Sequence, residues 1–175
     1  MKKQDILENR VNLAILGIGS NLGNRRKNIE KAKFYLQLNK IKLINFSSYY
    51  ETHSWPNKKF PKYLNIIVMV KTHLKPYELF KIIKLIEIKL GRKRSFKNYP
   101  RTCDIDIIDF NNKEIEVKSK NIDLKIPHPR AHLRNFVLVP LYEISKTWKH
   151  PKFNKKISYL LNKTKTCELR AIKLI

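Results

Sequence analysis

An abrupt change in hydrophobic period between residues 63 and 91 marks the two clearest elements of the chain. Residues 63–71, YLNIIVMVK, are rich in apolar β-branched side chains, which predicts a buried strand. Apolar residues then recur at helical spacing, so a helix is expected that begins near Pro76 and ends at Gly91. The apolar positions of this helix are Leu79, Ile82, Ile83, Ile86 and Leu90.

The flanking segments extend this pair into a β-α-β-β-α-β order. Residues 11–18, 42–51 and 103–110 are predicted strands. The small and polar residues from 19 to 24 predict a turn, after which a helix begins near Asn24. The expected buried face of that helix carries Ile29, Ala32, Tyr35 and Leu36.

This order is typical of an α+β ferredoxin-like sandwich, in which helices lie on one face of an antiparallel sheet. After residue 111 the sequence predicts a C-terminal hairpin, a proline-rich turn and a helical extension of one or two helices. A length of 175 residues without an evident linker favours one domain over residues 1–175.

Charge and composition leave several classes of partner open. Lys and Arg total 38 against 14 Asp and Glu, which gives a formal net charge of +24. Such a balance favours polyanionic partners, although a lysine-rich solvated surface explains it equally well. The only cysteines, Cys103 and Cys167, are too far apart in sequence for a metal-type pair. No signal peptide and no apolar run near the ~20 residues of a membrane span is present, so a cytoplasmic protein is expected.

Residues 92–106, RKRSFKNYPRTCDID, carry the clearest chemical signal. Five cations fall within ten residues: Arg92, Lys93, Arg94, Lys97 and Arg101. Asp104 and Asp106 follow at i and i+2, so on a strand both carboxylates share one face. Paired carboxylates beside cations indicate Mg²⁺-assisted phosphoryl chemistry, because Mg²⁺ binds one or two carboxylates together with phosphate oxygens. The alternative is a solvated basic loop with surface ion pairs.

Two further groups of residues have both functional and structural interpretations. Tyr63 and Asn65 share a strand face and could stack on and hydrogen-bond a flat heterocycle, or simply end and cap the strand. Within IPHPRAHLRNFVLVPL, residues 126–141, His128 and Arg134 could donate hydrogen bonds to a nucleotide. A zinc site at His128 and His132 is disfavoured because no further ligand set accompanies them.

A nucleic-acid-binding module is the main alternative function. The net charge and the β-α-β-β-α-β order both fit an RNA-recognition domain. The third strand, however, reads YLNIIVMV and offers no aromatic platform for stacked bases. The Asp104–Asp106 pair would also repel a bare phosphate backbone.

The motifs together resemble the 6-hydroxymethyl-7,8-dihydropterin pyrophosphokinase family. The resemblance covers about residues 13–144 and rests on GIGSNLGN, SSYYET, YLN, GRKR, PRTCDIDII and IPHPRAHLRNFVLVPLYEI, in that order. It implies pyrophosphoryl transfer from ATP to hydroxymethyl-dihydropterin in folate biosynthesis, with two Mg²⁺ ions and AMP as a product. It also implies a ferredoxin-like enzyme that acts as a monomer on small molecules, without nucleic acid or membrane.

The resemblance also implies roles for individual residues. Arg92, Arg101, Asp104 and Asp106 are the expected catalytic residues, and the two aspartates are the metal ligands. The expected pterin pocket comprises Thr52, Trp55, Tyr63, Asn65 and Phe136, with Phe136 stacked on the ring. The expected ATP site comprises Glu87, Arg92, Arg94, Arg101, Ile107, His128 and Arg134. His53, Asp123 and Lys125 depart from the residues common at their positions.

Overall fold

The computed structural model describes residues 11–92, 98–119 and 122–175. The strands are β1 (Asn12–Ser20), β2 (Lys42–Phe46), β3 (Tyr50–Thr52), β4 (Tyr63–Thr72), β5 (Asp104–Phe110), β6 (Ile115–Ser119), β7 (Ile122–Ile126) and β8 (Lys173–Leu174). The α-helices are α1 (Arg25–Leu38), α2 (Pro76–Lys89), α3 (Asn135–Ile144), α4 (Ile157–Lys163) and α5 (Thr166–Arg170). A short 3₁₀ turn, Ala131–Leu133, precedes α3.

One antiparallel sheet forms the centre of the fold. Its order is β5–β1–β4–β3–β8, and β2 pairs with the second half of β4, next to the segment paired with β3. The β1–β4–β5 centre places the C-terminal end of β1 beside the N-terminal ends of both neighbours. The α+β ferredoxin-like prediction is therefore confirmed.

Local sequence signals fix the ends of the first two helices. The Asn24 side chain caps α1 by accepting a hydrogen bond of 3.0 Å from the Lys27 N–H, as expected for a helix beginning there. Pro76 lies in the first turn of α2, where its missing N–H costs nothing. Gly91 ends the α2 segment with a φ of +83°, a conformation that glycine adopts without strain.

Helices cover both faces of the sheet. The face packed against α1 and α2 buries Leu16, Ile18, Ile29, Leu36, Leu79 and Ile83, among others. The opposite face, with Ile15, Ile67 and Ile108, packs against Val137, Leu138, Leu141, Ile157 and Leu160 of α3 and α4. The expectation of helices on one face thus holds for α1 and α2, while the C-terminal extension adds a third layer. An RNA-recognition sheet uses an open face, and this arrangement gives that alternative no support.

Two boundaries differ from the sequence prediction. Gly19 and Ser20, expected in a turn, belong to β1 because β4 pairs with both of them. The expected strand 42–51 is split into β2 and β3. Ser47 causes the break, since its N–H donates to Ile67 O (2.9 Å) while its Oγ accepts from the Ile67 N–H (3.0 Å). Ser48 then turns away to donate from its N–H to Glu143 of α3 (3.0 Å).

The C-terminal region contains the predicted hairpin, turn and helices, but it has more helices than predicted. The hairpin β6–β7 is followed by the proline-rich turn and then by three helices rather than one or two. Within the described part of the chain, no helix combines the length and apolarity required to cross a membrane.

A buried histidine makes this region sensitive to acid. His150 packs between Trp148 and Phe153 and lies near His132. Burial first, and the neighbouring His132 and Lys152 next, lower the pKa of His150 to about 4. Because an unfolded histidine titrates near ~6.5, its contribution to stability is complete above that pH and is lost as the pH falls toward 4.

We therefore expect the free energy of unfolding to fall by on the order of 2 kcal/mol between pH 7 and 4 through this residue. Urea titrations of the wild type and of His150→Gln at both pH values measure the effect. The variant should lose less stability on acidification than the wild type. His73→Gln, at an exposed histidine, is the control and should keep the wild-type dependence. Equal pH dependence in the wild type and His150→Gln would contradict the prediction.

Candidate active site

A cleft of about 1160 Å³ opens on the sheet face that also carries α3 and α4. Alternation along the strands places Gly17 and Gly19 of β1, Asn65 of β4, and Asp104 and Asp106 of β5 on this face. The helices of the third layer cover Ile15, Ile67 and Ile108 and leave the other end of the face open. The cleft therefore lies where the strand ends converge.

The paired carboxylates lie in the cleft and face three arginines. Asp104 contacts Arg92 through Oδ1 at 2.6 Å and Arg101 through Oδ2 at 3.2 Å. Asp106 Oδ2 accepts a hydrogen bond of 3.0 Å from Arg134 Nη1. The aspartate side chains keep 28% and 32% of their surface exposed, so a ligand can reach both.

The ionisation state of this cluster follows from its ion pairs. Burial opposes ionisation of Asp104, but Arg101 and Arg92 outweigh it and hold the pKa of Asp104 below its usual range. Burial likewise opposes the charge on Arg92, while Asp104 and Glu87 raise its pKa above the usual value. Asp104 is therefore an anion and Arg92 a cation at neutral pH.

Glu87 anchors the cluster from α2. Its side chain is only 2% exposed, accepts a hydrogen bond of 2.8 Å from the Ile105 N–H and lies 2.6 Å from Arg92 Nη1. Lys84, one helical turn earlier, lies 2.9 Å from the other Glu87 oxygen. Burial raises the pKa of Glu87, against the pull of Lys84 and Arg92. Glu87 thus fixes the position of Arg92 relative to the start of β5.

His128 reaches Asp106 from the proline-rich turn. Its Nδ1 accepts a hydrogen bond of 3.1 Å from the Arg130 N–H, and its Nε2 lies 3.7 Å from Asp106 Oδ2. Burial lowers the pKa of His128, so the ring is neutral at pH 7. Because Nδ1 accepts a hydrogen bond, the proton of the neutral ring lies on Nε2, which points toward Asp106 in the cleft.

The donor set suits a hard divalent cation. Both aspartates present carboxylate oxygens, which Mg²⁺ prefers. Across residues 11–92, 98–119 and 122–175, no cluster of three or more acidic, histidine or cysteine side chains is arranged to hold a metal ion. A cation at Asp104 and Asp106 would therefore complete its shell with water and ligand oxygens, as Mg²⁺ does beside phosphates.

A second part of the cleft combines aromatic rings with buried hydrogen-bonding side chains, the groups that a flat heterocycle would contact. Asn65 is 6% exposed and donates from Nδ2 to Thr52 Oγ1 at 3.0 Å. Tyr63 and Phe136 line the cleft and are half-buried, and Trp55 stands exposed on its wall. Every residue predicted for the heterocycle pocket thus lines one cleft.

The predicted nucleotide residues fall in three places. Glu87, Arg92, Arg101, His128 and Arg134 line the main cleft. Ile107 lies instead on a second cavity of about 240 Å³, which also includes Asp123 and Lys125. The two cavities share Lys84, Asp106 and His128 and are therefore adjacent. Arg94 lies outside the described residues.

Sequence reasoning missed Lys84 and Gly19. Lys84 was recognisable only by its place three residues before Glu87, on the same helix face. Gly19 was assigned to a turn, whereas a Cβ at this position would lie 2.8 Å from Asn65 Oδ1 and 3.4 Å from Tyr63 Cδ1. The missing side chain therefore leaves room for two residues of the ring pocket.

This close approach gives a matched pair of variants. Gly19→Ala is expected to displace Asn65 and to weaken binding of the pterin that the family resemblance implies by roughly 10-fold. The polar edge of the ligand then loses a buried hydrogen-bond partner, a loss of ~1–3 kcal/mol. In Gly17→Ala the added Cβ would lie 3.5 Å from Ile108 and Ile67, an ordinary contact, so pterin affinity should stay near wild type. Calorimetric titration with the pterin measures both. Equal affinities in the two variants would contradict the assignment of Gly19.

Comparisons with known proteins agree with this geometry. The family model described as 7,8-dihydro-6-hydroxymethylpterin-pyrophosphokinase (HPPK) matches residues 15–146. A relative from Aquifex aeolicus, named 2-amino-4-hydroxy-6-hydroxymethyldihydropteridine pyrophosphokinase, is 38% identical over 146 residues, which are 81% of this chain and 86% of the relative. A Bacillus subtilis protein of the same name is 40% identical over 134 residues, with 76% and 78% covered.

Solved structures agree at the level of the fold. A Plasmodium falciparum HPPK-DHPS triple mutant with pteroate superposes with a TM-score of 0.77 at 18% identity and covers 97% of this chain. The chain spans 48% of that solved protein and 43% of another HPPK-DHPS chain, whose TM-score is 0.70 at 22% identity. By the extent of the family match and the identity to full-length relatives, the chain belongs to the 7,8-dihydro-6-hydroxymethylpterin-pyrophosphokinase family.

Proposed function

We propose that this protein transfers the pyrophosphoryl group of ATP to the hydroxymethyl oxygen of 6-hydroxymethyl-7,8-dihydropterin, in the biosynthesis of folate. The products are AMP and the pterin diphosphate. The observation that carries this conclusion is one cleft that combines a ring pocket with a carboxylate–arginine cluster. Family membership supplies the identities of the two substrates.

The pterin occupies the end of the cleft near β3 and β4. Asn65 and Thr52 are both buried at this end of the cleft and share a hydrogen bond of 3.0 Å. Together they hydrogen-bond the polar edge of the pterin. Tyr63 and Phe136 contact the ring faces, with Phe136 stacked on the pterin, and Trp55 closes the outer side. A flat heterocycle in this pocket directs its hydroxymethyl group toward Asp104 and Asp106.

ATP occupies the arginine side and extends toward the smaller cavity. Arg92, Arg101 and Arg134 surround the triphosphate, and Lys84 and His128 add donors where the two cavities meet. Ile107 and its neighbours receive the nucleoside end. Arg94, outside the described residues, is proposed as a further cation of this site on the strength of its motif.

Asp104 and Asp106 would hold two Mg²⁺ ions. When bound, Mg²⁺ offsets the charge of the triphosphate and polarises the reacting oxygens. The arginines that face these carboxylates lie within reach of a polyphosphate in the same cleft. Arg92 and Arg101 stabilise the charge that develops on the transferred group.

The reaction is an in-line displacement in which the protein mainly positions its substrates. The pterin hydroxyl oxygen bonds to the β-phosphorus as the bond from that phosphorus to the α–β bridging oxygen breaks. AMP leaves with the bonding electrons, and the hydroxyl proton is released to solvent. We propose that residues 1–175 act as a single monomeric domain in the cytoplasm, where ATP is available.

Product analysis tests the proposed function. With Mg²⁺, ATP and the pterin alcohol, the protein should release AMP, and release should depend on all three. Omission of the pterin should lower AMP formation to background. AMP formation that is independent of the pterin, or no reaction with all components present, would overturn the proposal.

A further inference from the structure

Asn21 connects the two halves of the cleft without lining it. It follows β1, is only 1% exposed and does not contribute to the cleft wall. Its amide Nδ2 donates to Ser54 Oγ and to Pro61 O, both at 3.1 Å. Its Oδ1 accepts a hydrogen bond of 2.7 Å from the Arg101 N–H. The amide group is thus satisfied entirely by two other segments.

The partners of Asn21 lie beside the two proposed substrate sites, the ring pocket and the triphosphate site. Ser54 and Pro61 lie in the loop between β3 and β4, which carries Trp55 and borders the ring pocket. Arg101 contacts Asp104 on the triphosphate side. The Asn21 N–H also donates to Arg101 O at 3.1 Å, so Arg101 is held through both of its backbone polar groups.

The geometry links the positions of the two segments. Loss of one partner would leave a buried polar group unpaired, which is costlier than a shift of the segment that keeps it paired. A ligand that fixes the loop from 53 to 62 therefore also fixes Asn21 and, through it, the backbone of Arg101. The link is reciprocal, because coupling between binding sites acts equally in both directions.

We propose that Asn21 is a positioning residue that couples pterin binding to the placement of Arg101 at the triphosphate. The inference rests on the proposed function. Its measure is the coupling factor, defined as the pterin Kd without nucleotide divided by the Kd with Mg²⁺ and a non-hydrolysable ATP analogue. A wild-type factor of roughly 10 or more is expected for sites linked in this way.

Calorimetry on three variants tests the link. Asn21→Ala should reduce the coupling factor to within about 2-fold of unity, while pterin and analogue each still bind alone. Ser54→Ala removes one of the two hydrogen bonds that tie Asn21 to the loop and keeps the Asn21 Nδ2–Pro61 O bond, so it should lower the factor in part. It provides the test if Asn21→Ala does not fold. Asn28→Ala is the matched control. Among the described residues, Asn28 Nδ2 donates only to Ser20 Oγ (3.2 Å) and Leu22 O (2.9 Å), within its own segment.

The outcomes separate this inference from the proposed function. A merely structural Asn21 would lower the melting temperature, as is expected for Asn28→Ala, and leave the coupling factor at its wild-type value, which would overturn the inference. A wild type that binds both ligands with a factor near unity would also overturn it and leave the proposed function intact. A wild type that binds neither ligand would overturn the proposed function itself.

Discussion

Asp104→Ala and Asp106→Ala are each expected to lower kcat by roughly 10³-fold, because the proposed metal clamp would supply several kcal/mol to the transition state. Both side chains open into the cleft and contribute no apolar surface to either core, so the fold should be retained. Steady-state turnover across a Mg²⁺ titration measures the loss. The apparent Mg²⁺ requirement of any residual activity should rise.

Asp109 on the same strand provides the control. It is buried away from the cleft, where its carboxylate accepts from Trp148 Nε1 (2.6 Å) and from the Asn112 N–H (2.8 Å). Asp109→Asn keeps one of the two acceptor oxygens, so stability should fall, while kcat should stay within a few-fold of wild type. Near-normal kcat at saturating Mg²⁺ in both cleft variants would contradict the assignment of Asp104 and Asp106 as metal ligands.

Arg101→Ala should lower kcat by roughly 10²- to 10³-fold, the usual effect of losing one donor to a developing anion. Arg101 contacts Asp104 at 3.2 Å, and its backbone is fixed by Asn21, so its guanidinium group is preorganised. Pterin affinity without nucleotide should change less than kcat, although Arg101 also interacts with Tyr63 of the proposed ring pocket. Arg101→Lys should recover only part of the loss, because lysine lacks the planar fork of donors.

Arg26→Ala is the matched control for the loss of a cation. Arg26 lies on α1 with its guanidinium 4.8 Å from the Tyr49 ring centroid, and it does not line the cleft. Its kcat should match the wild type. If Arg101→Ala raised the KM for ATP without lowering kcat, Arg101 would bind the ground state only, and its proposed part in the transition state would be wrong.

Sequence reasoning recovered what depends on near neighbours along the chain. The helical repeat from Leu79 to Leu90 predicted α2, since spacing alone decides which side chains share a helix face. The i, i+2 spacing of Asp104 and Asp106 likewise placed both carboxylates on one face of β5, and both line the cleft. These features needed no knowledge of distant contacts.

Features that depend on distant contacts were not predictable. The break between β2 and β3 depends on Ser47 pairing with Ile67 and on Ser48 pairing with Glu143, 95 positions away. The local sequence predicts a turn at Gly19. The actual role of Gly19, to leave space for Asn65 on another strand, depends on a contact that the local sequence does not show. Asn21 was read in the same way, although its amide joins two loops that only the folded chain brings together.

The destination of the β-phosphate of ATP tests the central claim most directly. With ATP labelled at the β-phosphorus, the account predicts that the label leaves ATP in step with AMP formation and appears in the pterin product, one equivalent per AMP. Asp106→Ala should slow both signals equally. Label that stays in ADP while the pterin gains a single phosphate, or label released as free phosphate or pyrophosphate, would contradict pyrophosphoryl transfer in this cleft.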